Sequence, residues 1–169
     1  SLNFINSYHD EANYISALSD SIKDKLTEIS PQKIIFSYHG IPKRNFTEGD
    51  PYHCFCKKTT RLVAEKLNLK EDQYMTTFQS RFGKAEWLKP YTSETMENLP
   101  NEGIKNILVV APGFSVDCLE TVEEIDEENK EIFIKAGGEK FNYVPCLNDS
   151  DLHVKFIKLF LNKQISIWK

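Results

Sequence analysis

Short apolar runs alternate with longer stretches of helical periodicity along the chain, and this alternation constrains the fold more than any other feature. Four runs are too short for a helix and apolar enough for a buried strand: residues 33–37, 74–78, 106–111 and 141–144. Strands separated by helices are typical of parallel sheets covered on both faces. We therefore predict an α/β fold, a four-stranded parallel sheet with helices on both faces.

The intervening segments predict helices. Apolar residues recur at helical spacing over residues 7–29, 52–67, 92–99, 115–136 and 149–162. The fourth of these is long and acidic and stops at Gly137-Gly138, a glycine signal typical of a helix C-terminus. Nothing in the sequence divides the chain into two domains, so residues 1–169 are expected to form a single lobe.

Charge and composition exclude several classes of protein. The net charge is −4, which gives no basic field for nucleic acid, so no nucleic-acid partner is expected. No apolar run approaches the roughly 20 residues that span a bilayer, and no charged-then-apolar leader precedes the first helical pattern. We expect a cytoplasmic protein with reduced thiols, and peripheral contact with a membrane stays open.

A histidine directly follows the first predicted strand. His39 lies in Ser37-Tyr38-His39-Gly40-Ile41-Pro42. In parallel sheets, ligands bind beyond the carboxyl ends of the strands. Imidazole can accept a proton near neutral pH or ligate a metal. The alternative is a surface histidine that only caps the strand end.

Three acids follow the third predicted strand. Asp117, Glu120 and Glu124 are three and four residues apart, a spacing that places them on one face of the predicted acidic helix. Acids in a first turn also complement the helix dipole, which would explain the first two without any function. Together with His39, the row predicts a site for protons or a divalent cation.

Aromatic and basic residues follow the second predicted strand. Phe82 and Trp87 could stack a flat ligand, and Arg81 or Lys84 could meet its carboxylates. Packing in the core is the role that we expect for both aromatics.

The cysteines give a weak metal signal. Cys54 and Cys56 are separated by one residue, whereas structural zinc sites favour at least two, and Cys118 and Cys146 are isolated. Four thiolates could hold an iron–sulfur cluster if the fold gathered them, but buried thiols are the more common role.

Several motifs in this sequence resemble those of one family. They are Ser37-Tyr38-His39-Gly40-Ile41-Pro42, Asp50-Pro51-Tyr52, Thr77-Phe78-Gln79-Ser80-Arg81-Phe82-Gly83 and Pro112-Gly113-Phe114-Ser115-Val116-Asp117-Cys118-Leu119-Glu120-Thr121. Together they resemble ferrochelatase, and in particular the proteobacterial enzymes. The resemblance covers nearly the whole chain.

This resemblance implies a fold and a reaction. Family enzymes are about twice this long and have two similar lobes, so the chain corresponds to the C-terminal lobe without the N-terminal one. The implied reaction inserts ferrous iron into protoporphyrin IX and releases two protons, as the last step of haem biosynthesis. Half of the porphyrin cleft belongs to the first lobe, so we do not expect activity from the chain alone.

The resemblance also implies roles for residues. His39 matches the acceptor of pyrrole protons or metal ligand, and Glu120 matches the glutamate opposite it. Asp117 and Glu124 match an acidic path that conducts metal or protons. Together these four form the implied metal set. The predicted substrate contacts are Ser37, Tyr38, Phe78 and Phe114.

The implied ligands are protoporphyrin IX and ferrous iron, with no cofactor required beyond that iron. A [2Fe–2S] cluster is the less favoured alternative. The expected protein partner is the N-terminal lobe, or a second copy bound through the exposed lobe interface. Two other functions stay open: a non-catalytic module that binds metal or tetrapyrrole for delivery or sensing, and a purely structural half-domain.

Overall fold

The computed structural model describes residue 2 and residues 4–166. Its four strands are β1 (Lys33–His39), β2 (Tyr74–Gln79), β3 (Asn106–Val110) and β4 (Lys140–Val144). All pairs are parallel, in the order β2-β1-β3-β4. The predicted sheet is confirmed, and each strand ends within two residues of its predicted bounds.

The helices are α1 (Ala12–Ile29), α2 (Lys43–Thr47), α3 (Tyr52–Lys66), α4 (Thr92–Asn98), α5 (Leu119–Thr121), α6 (Lys130–Lys135) and α7 (Asp151–Ser166). Short 3-10 turns occupy Glu71–Gln73 and Leu99–Glu102. The first helix begins at Ala12, later than the predicted Ser7, and the sequence did not predict α2. Within the described part of the chain, no helix has both the length and the apolarity needed to cross a bilayer.

The long acidic helix differs from its prediction in where it begins and in how it is wound. It covers residues 119–135, because Cys118 is the N-cap and residues 115–118 lie in a loop. Its centre, Val122–Asn129, is a π-helix that joins α5 to α6. We call residues 119–135 the acidic helix. Its C-terminal end is followed by Gly137, whose φ of 99° suits glycine.

Apolar side chains fill both faces of the sheet. Along β1, Ile34 and Phe36 pack with α1, α3 and α7, whereas Ile35 packs on the other face with α4 and the acidic helix. All three are at most 2% exposed. Because the strands are buried on both sides, their edges and ends are the parts of the sheet that can meet a ligand.

An apolar stripe on α7 stays exposed. Val154, Ile157, Leu161 and Ile165 are 40–56% exposed, at helical spacing. An exposed apolar surface was expected for a lobe that docks on another lobe. The occupant of this stripe stays a prediction.

Candidate active site

The carboxyl ends of the strands and the start of the acidic helix meet at one edge of the sheet, which we call the carboxyl edge. His39 is the last residue of β1 and lies beside Gln79, the last residue of β2. The Gln79 amide Nε2 donates to the Glu120 carbonyl at 2.5 Å. His39 and Glu120 are therefore brought to the same edge.

The His39 ring lies near two aromatic side chains. Its centroid is 6.2 Å from that of Trp87 and 6.4 Å from that of Phe114. His39 Nδ1 is 2.6 Å from the Gly40 carbonyl oxygen. A carbonyl can only accept, so Nδ1 is the nitrogen that carries a proton in the neutral ring, and Nε2 has the lone pair. The half-buried imidazole is thus oriented as a base.

Glu120 is a partly exposed carboxylate in the first turn of the acidic helix. Its pKa is lowered by a hydrogen bond from the Cys118 side chain, then by its own backbone N–H and by the charge of His39. It is therefore ionised at neutral pH. It opens onto a groove of about 410 Å³ whose other acidic residues are Glu123, Glu124 and Glu128.

The Glu124 carboxylate joins the acidic helix to the loop after β2. Oε1 accepts the Ser80 backbone N–H at 2.6 Å, and Oε2 accepts the Ser80 hydroxyl at 2.7 Å. Ser80 has a φ of 63°, a left-handed conformation uncommon for serine. Glu124 therefore lines the groove and also fixes this loop.

Asp117 does not belong to the predicted row of acids, because it lies in the loop before the helix begins. Oδ1 accepts from the Tyr143 hydroxyl at 2.8 Å and from the Thr121 hydroxyl at 3.0 Å. Oδ1 also accepts from the Cys146 backbone, and Oδ2 accepts from Asn148 at 2.7 Å. Asp117, Thr121, Tyr143, Cys146 and Asn148 together are called the Asp117 cluster.

The hydrogen bonds to the Asp117 carboxylate have a larger effect on its pKa than its burial has. Burial alone would raise its pKa, but the bonds from Asn148, Tyr143, the Cys146 backbone and Thr121 lower the pKa below its ordinary value. The prediction that Asp117 shares one helical face with Glu120 and Glu124 is wrong. Its carboxylate instead ties the start of the acidic helix to the end of β4.

Three of the four predicted substrate contacts lie in the core. Ser37, Phe78 and Tyr38 are 0%, 1% and 3% exposed. The Tyr38 hydroxyl pairs with Thr60 at 3.0 Å. The prediction of direct contact with substrate is therefore corrected at these three positions, since side chains on a buried strand have little free surface. Phe114 is half-buried beside His39, and its contact with substrate stays a prediction.

The two aromatics after β2 differ. Trp87 is 5% exposed, as expected of a core residue, whereas Phe82 is 74% exposed. Their ring centroids are 5.0 Å apart, edge to face. The Arg81 guanidinium lies 4.3 Å from the Tyr91 ring centroid. The expectation of core packing is wrong for Phe82, whose exposed ring lies against the edge of Trp87.

The described part of the chain brings no set of three metal ligands together. Within residue 2 and residues 4–166, no three His, Cys, Asp or Glu side chains lie close enough to hold a metal ion. Burial raises the pKa of Cys56 and of Cys146 to about 12, which keeps both thiols protonated. Cys54 is exposed. The four-thiolate cluster therefore stays the less favoured alternative.

Comparison with known proteins decides the family. The family described as Ferrochelatase matches residues 1–165. This chain belongs to the ferrochelatase family. The family resemblance seen in the sequence motifs is thereby confirmed.

Similar curated ferrochelatases extend well beyond this chain. "Ferrochelatase 2" of Shewanella oneidensis is 58% identical over 155 residues, which are 91% of this chain and 47% of that protein. The ferrochelatase of Hydrogenovibrio crunogenus is 52% identical over 168 residues, 99% of this chain and 44% of that protein. That of Marinobacter nauticus is 52% identical over 166 residues, 98% and 45% respectively. The chain thus spans about half the length of these ferrochelatases.

The geometry gives this ferrochelatase-family chain two groups suited to proton and cation transfer. His39 has an acceptor nitrogen, and Glu120 has an ionised carboxylate on an open groove. Phe114 adds apolar surface beside His39, and the exposed ring of Phe82 lies against Trp87, which is itself near His39. Sequence reasoning missed Gln79, which connects the two groups; its position in the Thr77–Gly83 motif and at the end of a strand was the available signal.

Proposed function

We propose that this chain is the C-terminal lobe of a ferrochelatase that inserts ferrous iron into protoporphyrin IX to give protohaem, the last step of haem biosynthesis. The observation that carries the proposal is the meeting of His39 and Glu120 at one open edge. Membership in the ferrochelatase family supports it.

In the proposed reaction, the porphyrin loses two pyrrole protons and ferrous iron binds the four nitrogens, so the net charge of the macrocycle complex is unchanged. His39 Nε2 accepts a pyrrole proton, since Nδ1 is held by the Gly40 carbonyl. Glu120, ionised and opening on the acidic groove, receives the cation or the second proton. Phe114 and Phe82 contact the apolar faces of the macrocycle.

We further propose that the remaining half of the cleft comes from the portion of the relatives that this chain does not cover. The test is insertion of zinc or ferrous iron into a porphyrin, assayed with and without an added N-terminal lobe. Turnover is expected only with that lobe. Robust turnover by the chain alone would contradict the requirement, and no turnover with the lobe would contradict the proposed function.

The half-length match leaves one second candidate, a non-catalytic module that binds metal or tetrapyrrole. In that case the chain would bind zinc or porphyrin without turnover in either assay. The site is tested separately by titrating zinc and protoporphyrin into His39→Ala and Glu120→Gln. Binding curves identical to those of the unaltered chain would contradict the assignment of both residues.

A further inference from the structure

Gln79 is a buried polar residue that contacts both halves of the candidate site. It ends β2, lies beside His39 in the parallel pairing and is 3% exposed. A buried amide must find hydrogen-bond partners for both of its ends, because leaving either end unpaired costs free energy. The identity of these partners shows what Gln79 does.

The Gln79 side chain holds the start of the acidic helix. Its Nε2 donates to the Glu120 carbonyl at 2.5 Å and, at 3.4 Å, to Glu124 Oε2. Its Oε1 accepts the Ser37 hydroxyl at 2.7 Å. The Glu120 carbonyl can only accept, so the NH₂ end must face it, and this fixes the orientation of the amide. Ser37 also pairs with Thr92 at 2.9 Å, which holds the acceptor side in place.

The Gln79 backbone holds the turn after His39. Its carbonyl accepts the Gly40 N–H at 2.8 Å. A Cβ at Gly40 would lie 2.9 Å from this oxygen and 3.0 Å from Trp87 Cε3, so only glycine fits the contact. One residue therefore fixes both the turn beside His39 and the backbone of Glu120.

We propose that Gln79 is a positioning residue that sets the placement of Glu120 relative to His39. This inference rests on the proposed function, because it assigns Gln79 an effect on that reaction. Gln79 acts only through other residues. Without its amide, the acidic helix loses its short bond to β2 at Glu120 and the longer one at Glu124, while the backbone bond at Gly40 persists.

The kinetic test uses Gln79→Leu in the 169-residue chain, assayed for zinc insertion together with the N-terminal lobe. Since a displacement of about 1 Å can cost about 100-fold in rate, kcat should fall by that order. KM for the porphyrin should change by less than about two-fold, because no substrate contact is removed. Gln79→Met, tested in parallel, gives the same expectation with a more flexible side chain.

The matched control is Gln73→Leu, the same change near the opposite end of β2. Gln73 Oε1 accepts the Lys70 backbone N–H at 2.9 Å, far along the strand from His39. The control should keep the unaltered kcat. Unaltered kcat in folded Gln79→Leu or Gln79→Met, or equal losses in Gln73→Leu, would overturn the inference.

An independent readout needs no activity. In the isolated chain, the ¹³C resonance of the Glu120 carbonyl should shift in Gln79→Leu, whereas the Gly40 amide resonance should stay. An unchanged Glu120 carbonyl resonance would overturn the inference even if the enzyme assay succeeds. If the unaltered chain lacks turnover with the N-terminal lobe, the proposed function fails, while a shifted Glu120 resonance still supports the contact.

Discussion

Asp117 and Glu120 are three residues apart and have opposite surroundings. The Asp117 carboxylate accepts hydrogen bonds from Thr121, Tyr143, Asn148 and the Cys146 backbone. Glu120 is partly exposed and opens on the acidic groove. The difference shows that, of two acids near one helix start, one can have its carboxylate bonded within the fold while the other opens on a groove.

The hydrogen bonds that the Asp117 carboxylate already accepts explain why Asp117 and Glu120 differ. A carboxylate whose oxygens already accept several bonds must lose them before it can take a cation, and each buried donor left behind costs about 1–3 kcal/mol. Glu120 accepts bonds from the Cys118 side chain and its own backbone N–H, and its partly exposed carboxylate can exchange them for water. We therefore propose that Asp117 stabilises the fold, whereas His39 and Glu120 take part in the proposed reaction.

The largest expected effect is that of His39→Ala on turnover. Removing the base should lower kcat for zinc insertion, with the N-terminal lobe present, by about 100- to 10,000-fold. The free energy of unfolding should change by less than about 1 kcal/mol, since the ring is only half-buried. His53→Ala, which alters a histidine of α3, is the control and should keep its turnover. Equal losses of kcat in His39→Ala and His53→Ala would contradict a specific role for His39 in turnover.

Asp117→Asn should mainly reduce stability. The amide would place N–H groups against donors of the Asp117 cluster, so the free energy of unfolding should fall by about 2 kcal/mol in urea titration. Glu123→Gln, an exposed change on the acidic helix, should stay within about 0.5 kcal/mol of the unaltered chain. If Asp117→Asn is as stable as the Glu123→Gln control, the structural role of Asp117 is contradicted.

At acid pH, the unaltered chain and Asp117→Asn should no longer differ in their free energy of unfolding. The cluster lowers the pKa of Asp117 below its ordinary value of 3.8. Because the folded-state pKa is depressed, the contribution is fully present above pH 3.8 and is lost as pH falls through the lower folded value. Urea unfolding of both proteins over this range measures it. A difference that stays constant into acid would contradict the lowered pKa.

The smallest expected effect is that of Glu124→Gln, which sharpens the comparison because Glu124 is intermediate. One of its two bonds to Ser80 would be weakened, so the free energy of unfolding should fall by about 1 kcal/mol. Turnover should fall less than in His39→Ala. Ser80→Ala, which removes only the hydroxyl bond, should reproduce the stability loss without the change in charge. If Glu124→Gln has unaltered stability, the Glu124 carboxylate contributes no more to the fold than the Glu120 carboxylate does.

The sheet could be predicted from the sequence because burial on both faces requires near-continuous apolar runs. Residues 33–37 and 106–111 fit that requirement and contain no competing helical period. The site edge followed from the parallel topology, which placed His39 correctly at the end of β1. Motif resemblance supplied the family.

The environment of single side chains could not be predicted. Spacing alone placed Asp117 on a helix, because nothing in Ser115–Cys118 marks a helix start at Leu119. The π-helical winding of Val122–Asn129 also has no signal in the periodicity. Exposure at Phe82 depends on the path of the loop after β2, which packs the neighbouring Trp87 instead. The surroundings of Asp117 depend on Tyr143, Cys146 and Asn148, which are distant in the sequence.

The most direct test of the central claim is the kcat of Glu120→Gln for zinc insertion, measured in the 169-residue chain with the N-terminal lobe. The account predicts a loss of about 100-fold or more, with a free energy of unfolding within about 0.5 kcal/mol of the unaltered chain. Unaltered kcat in this variant would contradict the claim that Glu120 is the reacting carboxylate of the pair.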